Sequence, residues 1–462
     1  MFSSPSASFR LTLSSTTRST TTKIVQERHE RWFEQPIDHF NVQDSRTFAM
    51  RYIEDDTHFR PGGPLLLELG GESEINALNV KQGQSYELAE QLCGKIVVLE
   101  HRYYGRSSPF SNLTTENLVY LNVEQALEDI ANFVDAMKKT RAELSTSKVA
   151  VFGCSYSGSL ATWFRFKYPH LVDAAWASSA PLRAVSDFYE YFEVAGEVYS
   201  NVSWSCYNTI KVGYAKIKQL LSTPEGSGKV KMALESVTTP RLRHCLNFTI
   251  FRNWSCGNAS EMNTSAILTS IRYVVADHNI PPDHGTTSCN ILQNASSDAL
   301  QAMLLFLQVK SPDVCTDDDN AEYPNNDIAW SYQTCTEFGF SITMTSRNQP
   351  FNDSFSVIDD DLTACLEFGE EFTSELLQKG IDRINRNYGG QNVKVSRVLS
   401  VHGAQDPWHK LGFYKEEDED SPVILVPGTS HCADQLNQEN EPVQLTKAKK
   451  KAKKILTKWL HN

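Results

Sequence analysis

Five short apolar runs, each closed by a turn or a polar cluster, constrain this chain more than any other feature. Leu65-Leu66-Leu67-Glu68-Leu69 ends at Gly70-Gly71, and Ile96-Val97-Val98-Leu99 ends at Glu100-His101-Arg102. Val149-Ala150-Val151-Phe152 ends at Gly153, Val398-Leu399-Ser400-Val401 at His402-Gly403, and Val423-Ile424-Leu425-Val426 at Pro427-Gly428. A strand with one wet face alternates apolar and polar residues. Near-continuous runs instead suit strands buried on both faces, as in a parallel sheet covered by helices. Between the second and third runs, Val123, Leu127, Ile130, Ala131, Val134 and Met137 recur at helical spacing, as a crossover helix requires.

The chain has 462 residues, about three domain equivalents at ~150 residues each, a length that an α/β domain with a large insertion also fills. Residues 31–184 and 387–462 read as two parts of one sheet domain. Residues 185–386 read as a helical cap inserted between them, holding most of the cysteines and sequons and the acidic loop Asp317-Asp318-Asp319. Residues 1–30, rich in Ser and Thr, read as a disordered leader.

Charge and cysteine usage bear on partners and compartment. Lys and Arg number 44 against 56 Asp and Glu, a net charge of −12, and an acidic surplus repels phosphate, so nucleic acid is excluded as a partner. No run of about 18 apolar residues is present, so no membrane-crossing helix is expected. The ten cysteines make no close CxxC pairs, so neither a metal nor another cofactor is expected. Their wide spacing suits disulfides formed in an oxidising compartment, with the pairing left open. Asn112, Asn201, Asn247, Asn253, Asn258, Asn263, Asn294 and Asn352 each open an N-x-Ser/Thr triplet, as in a secreted or lysosomal glycoprotein. Met1–Thr22 lacks the apolar core of a signal peptide. The expectation is that the natural start lies elsewhere; a cytosolic leader with accidental sequons is the alternative. The lysines of Lys447–Lys454 look like a binding patch, yet Leu445, Ala448, Ala452, Ile455, Leu456 and Trp459 share one helical face, which favours a helix docked on the domain.

The chemistry centres on Val151-Phe152-Gly153-Cys154-Ser155-Tyr156-Ser157-Gly158-Ser159. A buried strand running through small residues into a helix is the setting of a nucleophile elbow, in which a sharp turn lifts a serine above the sheet. The strict pattern is G-x-S-x-G, and Ser157 stands at its last position. A serine hydroxyl needs an imidazole to take its proton and a carboxylate to orient that imidazole. Asp406 and His431 follow Ser155 in the order Ser, acid, His, each in a loop after an apolar run. Loops leaving parallel strands at their carboxyl ends converge on one face. His101, His402 and His409 compete for the role of base. An oxyanion hole would take the backbone N–H of Tyr156 and one from Gly71.

These segments together resemble the S28 serine peptidases, the family of lysosomal Pro-Xaa carboxypeptidase, dipeptidyl peptidase 2 and thymus-specific serine protease. The resemblance is carried by Trp32–Phe40, Gly70-Gly71-Glu72, Glu100–Gly105, Gly153–Ala161, Ala177–Leu182, Trp330–Glu337, Gly403–Trp408 and Gly428–Cys432. It spans about Arg31 to Trp459, and Ser159–Tyr191 looks closest to the thymus-specific branch. Cys154 and Ser157 depart from it, standing where the family has Gly or Ala, and so does Ser73, in place of Gly. The resemblance implies an α/β-hydrolase fold with a helical (SKS-type) cap. It implies cleavage after proline or a small residue near a peptide terminus, usually at acidic pH. It also places Glu72, Gln333 and Glu337 near the substrate pocket. Peptides are the expected partners, and a homodimer stands as an open arrangement. A hydrolase-fold binding glycoprotein and an esterase or lipase remain the other readings of the same residues.

Overall fold

In the computed structural model the described residues are 29–235, 264–277, 284–310, 325–351, 358–414, 420–438 and 440–461. The leader up to Arg28 and the sequons at Asn247, Asn253, Asn258, Asn263 and Asn352 lie outside them.

The described strands form one eight-stranded sheet in the order β1-β2-β4-β3-β5-β6-β7-β8. They are β1 (Glu30–Pro36), β2 (Thr47–Asp55), β3 (Leu65–Leu69), β4 (Lys95–Leu99), β5 (Val149–Cys154), β6 (Ala174–Ser178), β7 (Val398–Gly403) and β8 (Val423–Val426). From β4 to β8 all neighbours run parallel, whereas β1, β2 and β4 pair antiparallel. All five apolar runs are strands. The sequence reading missed β1 and β2, which carry charged and polar residues between their apolar ones. It also missed β6, whose Ala-Ala-Trp-Ala-Ser has no β-branched residue to announce it.

Successive residues of a strand point to opposite faces, and here both faces are dry. Leu65, Leu67, Val97, Leu99, Val149 and Val151 join a core with α1 (Val123–Thr140) and α2 (Tyr156–Lys167). Leu66, Ile96, Val98, Phe152 and Trp176 face the other way, onto the helix Gly83–Leu92 and onto α3 (Val443–His461). In α3, Leu445, Ala448, Ala452, Leu456 and Trp459 are buried and Ile455 packs beside them, so the basic run is the solvent side of a docked helix. Asn122 caps α1 by accepting from the Gln125 N–H at 2.9 Å, and Lys138 and Lys139 sit in its last turn, where cations suit the helix dipole.

Between β6 and β7 the described chain is helical, from Glu190–Val202 through Ser374–Tyr388. Phe188, Phe192, Tyr199, Ile210, Phe338, Phe340 and Ile384 from this stretch belong to the same core as α1 and α2. Among its described residues the insertion thus shares this core, against one face of the sheet. Cys206–Cys289 and Cys335–Cys365 cross-link it, in the region where the sequence led us to expect disulfides. Cys154–Cys432 was not expected: it joins the end of β5 to the loop after β8 across 278 residues of sequence.

Candidate active site

β5 ends in an elbow. Ser155 follows with φ 59° and ψ −129° and precedes the first residue of α2, a conformation costly for a residue with a Cβ. Its own N–H donates to the Ser178 carbonyl of β6 at 2.9 Å, and its carbonyl accepts from Ser159 N–H at 3.1 Å. Small residues are obligatory around it. A Cβ on Gly153 would lie 2.0 Å from the Ser157 carbonyl oxygen, and one on Gly158 would lie 2.8 Å from that of Ser178. Ser157, the departure from the strict pattern, fits because its hydroxyl accepts from Cys154 N–H at 2.9 Å and donates to the Cys154 carbonyl at 2.8 Å. The hydroxyl thus clasps the turn.

Tyr156 opens α2, so its backbone N–H has no carbonyl a turn behind it inside the helix. Gly71 packs at the same point: a Cβ there would meet Ser157 at 3.7 Å. The Tyr156 side chain runs into a buried network. Its hydroxyl accepts from Gln333 Nε2 at 2.9 Å and lies 3.1 Å from His101 Nε2, while Tyr104 donates to Gln333 Oε1 at 2.7 Å. Gln333 and Glu337 are wholly buried. Glu337 accepts from Arg383 at 2.7 Å and from the Val123 N–H that opens α1 at 3.1 Å. Burial pushes its carboxyl up to about 7, against the pull of Arg383.

Asp406 and His431 meet. Asp406 Oδ2 lies 3.0 Å from His431 Nδ1, and Oδ1 accepts from Trp408 N–H at 3.0 Å. Asp406 is fully buried; burial pushes its pKa up, but His431, the Ser179 hydroxyl and the Trp408 N–H outweigh this and hold it below the usual carboxylate range. His431 shows the converse balance. Burial lowers it, yet Asp406, Glu72 and Asp434 hold it above the ordinary histidine value. A ring nitrogen of His431 and the sulfurs of Cys154 and Cys432 all lie within 4.8 Å of one another, so the imidazole sits beside the residue preceding Ser155. Glu72 is partly buried, which pushes its carboxyl up.

The competing histidines are spoken for. His101 and His402 are buried and, with His409, are pushed down to about 4 by burial. His101 Nδ1 contacts the Arg102 carbonyl, His402 Nε2 the Phe413 carbonyl, and His409 Nδ1 the Tyr414 hydroxyl; none of the three hydrogen-bonds a carboxylate.

Asp434 was missed by the sequence reading. It is buried and accepts from Trp176 Nε1 at 2.7 Å and from the Ser178 hydroxyl, bracing the end of β6 on which the elbow hangs. Ser179, with φ 47°, accepts from Cys432 N–H at 3.0 Å. Ser179 lies within the segment Ala177–Leu182 already singled out and Asp434 two residues beyond Gly428–Cys432, yet no spacing rule marks a bracing residue.

A family model described as serine carboxypeptidase S28 matches residues 35–452. The chain belongs to the S28 family of serine peptidases. Among S28 relatives, thymus-specific serine protease of Mus musculus is 31% identical over 455 residues, covering 93% of this chain and 87% of that one. Lysosomal Pro-X carboxypeptidase of Bos taurus is 26% identical over 453 residues, covering 93% and 87%. A solved proline iminopeptidase of Mycobacterium smegmatis aligns over 93% of this chain and 98% of its own, with a TM-score of 0.37 and 11% identity. This S28 chain is a serine peptidase of the α/β-hydrolase fold. No helix among its described residues is long and apolar enough to cross a membrane.

Proposed function

We propose that this S28 peptidase is an exopeptidase that cuts near a peptide terminus, after proline or a small residue, through an acyl-enzyme. Ser155 Oγ attacks the scissile carbonyl carbon as His431 takes its proton. The oxyanion is held by the backbone N–H groups of Tyr156 and Gly71. Collapse breaks the C–N bond, and the amine leaves with the proton from His431. Water, deprotonated by His431, then hydrolyses the ester. Asp406 fixes the imidazole tautomer and stabilises its charged form.

The observation that carries this reading is the His431–Asp406 contact at 3.0 Å, with the imidazole next to the elbow cystine. The terminal preference is supported by the insertion packing on the loop that carries Asp406, through Phe188, Tyr191 and Phe340 on Trp408, since an insertion beside the reacting groups narrows the approach of folded protein. A preference for proline or a small side chain is supported by the rings of Phe188, Tyr191 and Phe340 around Trp408, an apolar wall two residues from Asp406. In this reading Gln333 and Glu337 act behind the site, holding Tyr156 and α1, and Glu72 faces the substrate. Exposed sequons at Asn112, Asn201 and Asn294, with the cystines, support a glycoprotein that is secreted or lysosomal.

The test is Ser155→Ala in otherwise unaltered protein. It should lose labelling by a fluorophosphonate probe and lower kcat on prolyl peptides by about 10⁴-fold or more. Unchanged turnover would overturn the assignment. Profiling cleavage of a peptide library shows which terminus is read, and much higher efficiency on short acyl esters would make the chain an esterase.

A further inference from the structure

The Cys154–Cys432 bond links the residue before Ser155 to the residue after His431. The sheet order explains why such a link matters. β8 is separated from β5 by β6 and β7, so the loop carrying His431 must reach back across two strands to the elbow. β8 is a four-residue edge strand with Leu425 exposed, a weak platform for so exact a placement. Asp406 and Asp434 anchor the loop on either side of the bridge. Cys432 itself is held with φ 54°, its N–H on Ser179. The two sulfurs and a His431 ring nitrogen lie within 4.8 Å of one another, so freedom gained at either sulfur is freedom gained by the imidazole.

Access separates this bond from the other two among the described residues. Cys154 and Cys432 are only partly buried, whereas Cys206, Cys289, Cys335 and Cys365 are buried in the insertion. A small thiol therefore reaches the elbow bond first.

We propose that Cys154–Cys432 is a reducible clamp on the reacting groups: closed, it keeps His431 in register with Ser155; opened by a dithiol, it lowers turnover while the fold persists. The inference rests on Ser155 and His431 carrying the reaction. Cys154 and Cys432 are positioning residues and touch no substrate. In the opening step a dithiol thiolate attacks one sulfur, and the other leaves as a thiolate that takes up a proton. The second thiol of the reagent then closes on the mixed disulfide and releases the remaining cysteine. Two electrons and two protons pass from reagent to protein, and the reagent leaves as its own disulfide.

The experiment titrates the full oxidised chain with dithiothreitol buffers of falling potential. Free thiols are mapped by alkylation, and kinetics on a prolyl peptide and the rate of fluorophosphonate labelling are measured at each step. Where Cys154 and Cys432 become alkylatable and the buried pairs do not, kcat and labelling rate should fall about 10- to 100-fold, the scale of a misplaced catalytic group. KM should change less than about threefold, near-UV circular dichroism should persist, and reoxidation should restore kcat. A C154A/C432A double variant should show the same residual kcat and no response to the dithiol. An opened bridge with unchanged kcat, a double variant with undiminished kcat, or a loss that tracks the buried pairs would each overturn the clamp. Should the double variant not fold, the titration of the unaltered chain decides alone. Absence of labelling at Ser155 in oxidised protein would overturn the underlying reading, whereas equal labelling in both redox states overturns the clamp only.

Discussion

His431 must be neutral to accept a proton, and burial favours that neutral form, while Asp406, Glu72 and Asp434 favour the charged one and prevail. Its pKa is raised, so the base is protonated through the ordinary histidine range and becomes competent only as pH rises beyond it. The acid limb of kcat/KM should accordingly lie above an apparent pKa of about 6.5. At pH 5 turnover should be a small fraction of its plateau, in contrast to the acidic optimum that the family resemblance implies. Replacing Glu72 with Gln removes one of the charges that raise His431. The limb should move to lower pH in Glu72→Gln, and a profile that stays in place would show that Glu72 does not act on the base.

At the scale of the element, the elbow is a contact between backbones rather than between side chains. A methyl on Gly153 would press on the carbonyl of Ser157 and the N–H of Gly158, neither of which can turn away without unwinding the start of α2. Gly153→Ala should therefore cost about 3 kcal/mol or more of stability, at or above the usual range for overpacking. Gly71→Ala, where the added carbon meets Ser157 at an ordinary 3.7 Å, should change stability by less than about 1 kcal/mol. Thermal or urea unfolding of the pair checks both expectations. Similar losses in the two variants would mean that the elbow tolerates a larger separation of strand and helix.

Over the whole molecule, buried carboxyl groups set how stability follows pH. Glu68, whose side chain receives a hydrogen bond from Ser85, is pushed up to about 7 by burial, as is Glu337. Such groups bind a proton more tightly in the folded chain than in the unfolded one, where their pKa is near 4.5. Their stabilisation is fully present below about pH 4.5 and is lost as pH rises toward 7. Asp129 and Asp406 have depressed values; their contribution is present above the unfolded value of 3.8 and is lost as pH falls below it. His101, His402 and His409, pushed down to about 4, work the other way: their contribution is present above the unfolded value of 6.5 and is lost as pH falls toward 4. The carboxyl contribution is therefore read by difference: the stability of the parent relative to Glu68→Gln should fall as pH rises from 4.5 to 7. A difference in unfolding midpoint between parent and Glu68→Gln that stays constant from pH 4.5 to 7 would contradict the protonation of Glu68.

The apolar runs, the helical stripes of α1 and α3 and the elbow were legible along the chain because each is a local pattern: burial on two faces, a 3.6-residue period, small residues at a tight turn. β6 was not legible, since its alanines, buried on both faces of the sheet, carry no strand preference of their own. The sequence also held the order Ser155, Asp406, His431 and by loop position favoured His431 as the base, but not the physical reason that its rivals do not serve. That depended on His101, His402 and His409 being desolvated and committed to other partners. Gln333 and Glu337 hydrogen-bond Tyr156, Tyr104, Arg383 and the start of α1, a network no spacing announces, because it forms only where the insertion shares the core of the sheet. The bond between Cys154 and Cys432 is the extreme case. Pairing depends on distance in space, and 278 residues of chain erase any local sign of it. Local periodicity and turn chemistry determined the elements by themselves; packing between distant elements decided which side chains stand together at the site.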